Sequence, residues 1–215
     1  MDSKIAKVLE NLQKNNMEAY FVETKDEAVD LTLSLIEKGS SVGVGGSVTL
    51  NQLGMLEILR NGDYDFFDRY AFTEREKIEE MMHKTLNADV FLCSANAITE
   101  NGELYNVDGT NNRIAAILYG PKSVIVLAGV NKIVPNLEEA VIRVKTVAAP
   151  LNCKRLKKNT YCAQKGICAA LSGDSNGMTD CCSAPDRICR NYVVSGTQVQ
   201  KNRIKVILIN EELGY

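Results

Sequence analysis

Six of the seven cysteines lie between Cys153 and Cys189, and they form the densest group of reactive side chains in the sequence. From Cys162 onward their spacing is Cys162-x5-Cys168-x12-Cys181-Cys182-x6-Cys189. In a reducing compartment, this density indicates a metal centre rather than disulfides, and four thiolates suit Zn²⁺ or an iron–sulfur cluster. Because the spacing lacks the paired C-x2-C of common zinc sites, unrelated free thiols or a disulfide pair are the alternatives.

A glycine-rich turn is the second candidate, in the segment Val42-Gly43-Val44-Gly45-Gly46-Ser47-Val48-Thr49. Glycines allow backbone N–H groups to approach an anion closely, and a helix that begins near Ser47 adds a favourable dipole. The segment has neither the Walker lysine nor a full dinucleotide fingerprint, so it predicts a site for a small anion. The alternative is a tight turn that Ser47 merely caps.

A third group of polar residues follows the buried strand predicted at residues 90–93. Ser94 and Asn96 come at its end, and Glu100 lies a few residues further on. Glu100 is our candidate nucleophile or general base, provided that its neighbours hold it in place. The alternative is a solvated hairpin, because Asn101-Gly102 is a strong signal for a tight turn between two strands.

The fourth group is Asp108-Gly109-Thr110-Asn111-Asn112-Arg113. Arg113 could bind a carboxylate or phosphate through its two-pronged guanidinium, whereas a helix cap followed by a surface arginine is the plain alternative. Taken with the turns above, the candidate ligand-binding residues are Gly43, Gly45, Gly46, Ser47, Asn101, Asp108, Asn112, Arg113, Asn131 and Lys132.

The elements that must position these residues alternate between helix and strand along most of the chain. Strands are predicted at 19–22, 41–44, 90–93, 123–127 and 203–210, and helices include one over 137–148 that Pro150 ends. This alternation predicts an α/β fold with a Rossmann-like, mainly parallel sheet, in which the cysteine-rich segment 151–190 is a loop insertion before the last strand. The carboxyl ends of parallel strands share one edge, so we expect the Gly45-Gly46-Ser47 turn to face Asn96, Glu100 and Asn131-Lys132 there.

Composition excludes several classes of protein. The chain has 215 residues with 25 Lys+Arg against 27 Asp+Glu, so it carries no electrostatic footprint for nucleic acid. No apolar run approaches the ~18 residues of a membrane span, and the polar N-terminus is not a signal peptide. We therefore expect one cytoplasmic domain over residues 1–215, with reduced thiols. A single histidine, His83, excludes mechanisms that need a histidine pair.

An ordered series of motifs resembles the LUD domain, the lactate-utilization family, over nearly the whole chain. The matching blocks are Gly43–Thr49, Asn101–Leu104, Asp108–Arg113, Tyr119–Pro121, Gly129–Val134 and Ala149–Asn152, followed by Cys182-Ser183-Ala184-Pro185-Asp186-Arg187-Ile188-Cys189. The resemblance implies the fold of sugar-phosphate isomerases and CoA transferases. It also implies a cluster held by Cys162, Cys168, Cys182 and Cys189, with 4Fe–4S preferred over zinc. On the same ground Cys181 is an extra thiol and Cys153 is not a ligand.

The resemblance also suggests functions. Glu100-Asn101-Gly102 is similar to the element that carries the nucleophile of CoA transferases, and Asn96 stands where related isomerases carry a catalytic aspartate. The function implied is an accessory or ligand-binding component in the oxidation of L-lactate, or a similar 2-hydroxy acid, with iron–sulfur oxidoreductase partners. The ligand would be a small lactate-like or phosphate-bearing anion. The alternatives are a transferase-like or isomerase-like enzyme that uses Glu100, and a metal or redox sensor.

Overall fold

The computed structural model describes residues 2–173 and 177–215, so residues 174–176 of the cysteine-rich segment lie outside the described part. The helices are α1 Ser3–Lys14, α2 Lys25–Ser34, α3 Val48–Gln52, α4 Met55–Asn61, α5 Arg75–Thr85, α6 Asn112–Leu118, α7 Leu137–Arg143, α8 Ala149–Arg155 and α9 Tyr161–Lys165. Short 3₁₀ turns cover Arg69–Ala71, Val130–Lys132 and Ala169–Ser172, and a π-helical turn covers Val144–Ala148.

Within residues 2–173 and 177–215, ten strands form two sheets. The strands are β1 Glu18–Val22, β2 Ser41–Val44, β3 Asp65–Phe66, β4 Val90–Cys93, β5 Ala97–Thr99, β6 Leu104–Asp108, β7 Ser123–Gly129, β8 Ile133–Val134, β9 Asn191–Ser195 and β10 Ile204–Ile209. The first sheet has the order β1-β10-β7-β4-β2-β3, and all of its pairs are parallel. The predicted α/β, Rossmann-like fold with a mainly parallel sheet is therefore confirmed.

The central strands are apolar on both faces because helices cover the sheet on both sides. In β7, Val124 and Val126 pack into one buried cluster with α1 and α6, whereas Ile125 and Leu127 pack into another with α3 and α4. The apolar side of α1 presents Ile5, Val8 and Leu12 to the first cluster, and the Asp2 side chain caps this helix by accepting from the Lys4 N–H. This core fixes the sheet edge from which the polar turns extend.

The second sheet has the order β8-β5-β6-β9 and is mixed. Strands β5 and β6 form the hairpin predicted around Asn101-Gly102, and Gly102 adopts a left-handed backbone with φ of 78°. Strand β9 pairs antiparallel with β6, and β8 pairs parallel with β5. The sequence predicted the hairpin but neither of these partner strands.

The helix expected to end before Pro150 continues past it. Pro150 lies in the first turn of α8, directly after the π-helical turn Val144–Ala148. A proline inside a helix removes one backbone hydrogen bond and its ring crowds the preceding turn. Here the π turn precedes Pro150, and the chain runs on as a helix to Arg155, which brings Cys153 into the interior. With α9, this helix makes part of the cysteine-rich segment helical, so the prediction of a loop there is wrong for these residues.

Among the described residues, no helix is both long enough and apolar enough to cross a membrane.

Candidate functional site

A polar cavity of about 210 Å³ opens beside the carboxyl ends of β2, β4 and β7, and we call it the polar pocket. A single water needs ~10–15 Å³ of such space, so the pocket has room for a small organic ligand. Its polar and charged wall residues are Ser47, Arg69, Ser94, Asn96, Asp108, Thr110, Asn112, Arg113, Lys132, Asn152, Arg155 and Tyr215, with Gly46 and Gly109 contributing backbone.

Lys132 is the most deeply buried charged residue of the polar pocket. It ends the turn Val130–Lys132 after β7, and only 2% of the residue is exposed. Its Nζ donates to Ser94 Oγ at 2.8 Å and to Thr49 Oγ1 at 3.1 Å. Burial, and then the nearby cations of Arg143 and Arg113, lower the pKa of Lys132 to about 7. A substantial fraction of the amine is therefore uncharged at neutral pH.

Arg113 organises the wall of the polar pocket. Its NH1 donates to the Ser94 carbonyl and Asn106 Oδ1, its NH2 to Asn96 Oδ1 and the Val107 carbonyl, and its Nε to Asp108 Oδ2 at 3.4 Å. A guanidinium has five N–H donors, so this set of five contacts occupies all of them. Arg113 therefore ties the loop after β4 to β6, rather than presenting the two-pronged face that the sequence suggested.

Arg69 faces the pocket from the turn Arg69–Ala71, and the sequence analysis did not single it out. Its NH2 donates to the Tyr70 hydroxyl at 2.9 Å and lies 2.9 Å from where a Cβ on Gly46 would be. Its buried Nε has no hydrogen-bond partner among the described residues. Arg69 lines the polar pocket, so its guanidinium adds a cation that suits an anionic ligand there. Arg155, held by Asn152 and by the Tyr215 hydroxyl, adds a further cation to the wall.

Several predicted residues shape the surroundings of the pocket without lining it. A side chain on Gly43 would collide with Thr85, so packing requires glycine there. A side chain on Gly45 would lie 3.3 Å from Arg113 and Cys93, which is a tight contact that these neighbours would have to accommodate. Asn131 accepts from the Leu213 N–H at 3.1 Å and so anchors the chain end beside the pocket. The Asn101 carbonyl accepts from Asn15 on the far side of the hairpin.

Glu100 is not among the described residues that line the polar pocket. Its carboxylate pairs with Lys7 at 3.0 Å and Lys4 at 3.8 Å, and its carbonyl accepts from Asn11. Glu100 belongs to the β5–β6 hairpin, and this hairpin turns back onto α1 instead of following the edge of the parallel sheet. The structure thus brings together Gly46, Ser47, Asn96 and Lys132 but leaves Glu100 apart from them.

A second, smaller cavity of about 20 Å³ lies beneath the second sheet, and we call it the cysteine cavity. All six cysteines of the segment line it: Cys153, Cys162, Cys168, Cys181, Cys182 and Cys189. Thr160 lies 3.4 Å from Cys162 Sγ, and the Tyr192 hydroxyl donates to Cys181 Sγ at 3.3 Å. Lys145 borders the same space and donates to the Gly177 carbonyl. The four predicted ligand cysteines thus border a single space.

Burial favours the protonated form of three of these thiols, those of Cys153, Cys168 and Cys189. Desolvation first, and neighbouring thiols second, raise the pKa of Cys189 to about 12. Desolvation raises the pKa of Cys153 and that of Cys168 as well. Cys153, which the sequence analysis set aside, is almost fully buried in this wall, because α8 continues beyond Pro150.

The donor set suits a thiolate-bound metal in kind and in number, because six sulfurs border one space. The sulfur atoms are not close enough together to form a metal centre as they stand. Among residues 2–173 and 177–215, no group of three or more His, Cys, Asp or Glu side chains is arranged to hold a metal ion. A bound centre would therefore require the thiols to draw together and lose their protons.

Comparisons with known proteins give one family. A family model described as the LUD domain matches residues 5–209. A DUF162 family protein from Deinococcus radiodurans is similar in structure, with 13% identity, a TM-score of 0.49, and coverage of 95% of this chain and 98% of that chain. The eIF2B beta protein from Chaetomium thermophilum is similar over 52% of this chain and 43% of its own, with 18% identity and a TM-score of 0.36. No curated protein matches the chain.

Proposed function

Because the chain belongs to the LUD-domain family, which is associated with lactate utilization, we propose that it is a ligand-binding component in the oxidation of L-lactate or a similar small 2-hydroxy acid. In this role, the protein holds the acid or its keto product in the polar pocket. The proposed setting is the cytoplasm, with iron–sulfur oxidoreductase subunits as partners.

One observation carries the proposal: the guanidinium of Arg69 lines the polar pocket beside Gly46, and its NH2 lies 2.9 Å from where a Cβ on Gly46 would be. Arginine binds carboxylates through two parallel hydrogen bonds, and such pairs are stronger than neutral hydrogen bonds. Lys132 and Arg155 also line the pocket, whereas Asp108, the carboxylate in its wall, already pairs with Arg113. The positive charge of Arg69 and Arg155 in the pocket favours a small carboxylate or phosphate.

The same geometry argues for a binding component over a transferase that uses Glu100. A nucleophile must lie where the substrate binds, and the Glu100 carboxylate instead pairs with Lys4 and Lys7 of α1. Asn96 lines the pocket, but its Oδ1 accepts both from Arg113 and from the Val107 N–H. This engagement supports a positioning role for Asn96 rather than acid–base work.

Ligand-observed NMR titrations test the binding proposal. L-lactate and pyruvate should bind the protein, whereas the neutral amide lactamide should not, because the amide lacks the carboxylate that Arg69 would pair with. Gly46→Val should abolish binding, since its side chain would occupy the space before Arg69. Gly196→Val is the matched control, because no atom lies within 4 Å of a Cβ there. Equal binding of lactamide and lactate, or full binding by Gly46→Val, would refute the proposal.

We further propose that the cysteine cavity carries an iron–sulfur cluster, with Cys162, Cys168, Cys182 and Cys189 as ligands and with zinc as the alternative metal. The supporting observation is that these four thiols border one cavity. A cluster would supply one-electron transfer when bound. Anaerobic purification followed by iron, sulfide and zinc analysis tests this. Equal amounts of iron and sulfide support the cluster, whereas zinc alone supports the alternative and the absence of all three refutes a metal centre.

A further inference from the structure

Among the described residues, Lys132 is a buried amine without a carboxylate partner. The two groups that accept from its Nζ are hydroxyls, those of Ser94 and Thr49. Arg143 reaches the loop from α7, where it donates to the Asn96 carbonyl at 2.6 Å and the Asn131 carbonyl at 3.2 Å. Lysines that serve only as structural cations are normally paired when they are buried, because an isolated buried charge is costly. Lys132 has cations nearby instead, and this surrounding favours the neutral amine.

The hydrogen bonds of Lys132 also suit a nucleophile. A neutral amine has two N–H bonds and one lone pair. When both N–H groups donate to the two hydroxyls, the lone pair stays available for a carbon atom. Lys132 and Ser94 both line the polar pocket, so a ligand in the pocket would lie beside this nitrogen.

We propose that Lys132 forms a Schiff base with a small 2-oxo acid in the polar pocket. The inference rests on the proposed function, because it takes the keto acid, the oxidised partner of the 2-hydroxy acid, as the ligand. Arg69 would hold the carboxylate of the 2-oxo acid, and the keto carbon would lie against Lys132 Nζ.

The reaction balances without an oxidant. The Nζ lone pair forms a C–N bond to the keto carbon, and the π electrons of the C=O bond move to its oxygen. The nitrogen gives up its two protons in turn, and the former keto oxygen takes them and leaves as water. The product is a C=N bond, which protonation from solvent converts to an iminium ion. Ser94 Oγ, at 2.8 Å from Nζ, is placed to carry a proton between the nitrogen and the departing oxygen.

The environment of the amine predicts how capture depends on pH. The charged and titratable groups that act on Lys132 are Arg143 from α7, Arg113 from α6 and the Cys93 thiol from β4, while Asp108 on β6 is engaged by Arg113. Burial has the largest effect, and together with these groups it brings the pKa of Lys132 to about 7. Capture should therefore rise with pH and reach half of its maximum near pH 7, whereas an ordinary lysine would need about pH 10.

Reductive trapping tests the inference. The intact protein is incubated with pyruvate and sodium cyanoborohydride, which reduces an iminium to a stable amine, and peptides are then mapped by mass. We expect one reduced pyruvate unit on Lys132, with half-maximal labelling near pH 7. Lys132→Met should lose this label, and Lys122→Met, which changes an exposed lysine paired with Asp89, should keep it.

The readouts separate this inference from the function on which it rests. Pyruvate binding in the NMR titration without label on Lys132 would overturn the inference and leave the binding function intact. Absence of pyruvate binding would overturn both. Because the wild-type protein alone supplies the labelled site and its pH profile, the test does not depend on whether Lys132→Met folds. Equal labelling of other lysines would also overturn the inference.

Discussion

Burial has opposite consequences for reactivity in the polar pocket and in the cysteine cavity. Desolvation disfavours the charged form of any group, so it lowers the pKa of an amine and raises that of a thiol. In the polar pocket it brings the pKa of Lys132 to about 7, which favours the nucleophilic neutral amine. In the cysteine cavity it raises the pKa of Cys189 to about 12, which suppresses the reactive thiolate.

The contrast teaches that burial alone does not make a site reactive. A buried lysine is ready for chemistry at neutral pH, whereas a buried thiol needs a metal or another partner that displaces its proton. The chemistry proposed for the polar pocket uses only side chains of this protein. In the cysteine cavity, burial raises the pKa of Cys153, Cys168 and Cys189, so metal binding by these thiols would release protons. The predictions that follow test this contrast, beginning with the largest effect.

The largest effect is expected in the cysteine cavity. Cys189→Ser should remove nearly all iron and sulfide from anaerobically reconstituted protein, because the serine hydroxyl is a poor substitute for a thiolate ligand. Cys153→Ser should retain them, since Cys153 is not in the proposed ligand set. Metal and sulfide analysis of both variants measures this. If the cluster were lost in Cys153→Ser and retained in Cys189→Ser, Cys153 rather than Cys189 would be the ligand.

A large effect is also expected on how the free energy of unfolding of the protein depends on pH, because of Lys132 in the polar pocket. The pKa of Lys132 is about 7 in the folded chain, against an ordinary value of 10.5, so between these values the unfolded chain binds more protons. Stability must therefore rise with pH, by about 2 kcal/mol from pH 7 to pH 9 for this one group. Lys132→Met should lack this rise and should be more stable than wild type at pH 7.

Denaturant unfolding of both proteins at pH 7, 8 and 9 measures the difference. Other groups titrate equally in the two proteins, so the gap between their unfolding free energies isolates Lys132. The gap should narrow as the pH rises. A gap that stays constant with pH would mean that Lys132 is charged in the folded chain and would weaken the contrast between the two regions.

An intermediate effect is expected on ligand binding. Arg69→Ala should weaken the binding of lactate and pyruvate by roughly ten- to a hundredfold, because a charge-assisted pair to a carboxylate contributes on the order of 1.5–3 kcal/mol. Arg75→Ala is the matched control, since the side chain of Arg75 is 90% exposed and pairs with Glu79 on the surface of α5. Isothermal titration calorimetry measures both. Unchanged affinity in Arg69→Ala would show that another cation holds the carboxylate.

The smallest effect is expected at Glu100. Glu100→Gln removes half-exposed ion pairs to Lys4 and Lys7, so it should change stability by less than about 1 kcal/mol and leave pyruvate binding and capture unchanged. Lactate-dependent activity of the system reconstituted with its partners should also survive. If activity vanished while folding and ligand binding stayed intact, the transferase-like alternative would become the better function.

The sequence predicted the elements of the parallel sheet well. Each of these strands, such as 90–93 and 123–127, is a short apolar run bounded by turn residues, and that pattern is local. Strand β9 was missed because its pairing partner β6 lies more than eighty residues away, and its own pattern is weak. The continuation of the helix past Pro150 was missed because proline was taken as a stop, whereas Pro150 lies in the first turn of α8, where a proline is tolerated.

The candidate site was predicted in part, and the successes and omissions have physical causes. Gly46, Ser47, Asn96 and Lys132 follow strands of one parallel sheet, so topology alone brings them to one edge. Glu100 also follows a strand, but that strand belongs to the second sheet, which the alternation did not reveal. Arg69 carries no motif. The signal that could have found it is an arginine directly after an edge strand beside the glycine turn.

The sequence by itself determined the alternation of helices and strands, the glycine turn and the crowding of thiols in one segment, because each depends on neighbours along the chain. Only the tertiary structure decided that Arg113 is fully engaged, that Arg69 is not, and that Lys132 is buried among cations. Protonation and hydrogen-bond satisfaction depend on solvent access and on partners from distant segments. Folding sets both, so the reactivity of these residues becomes visible only in three dimensions.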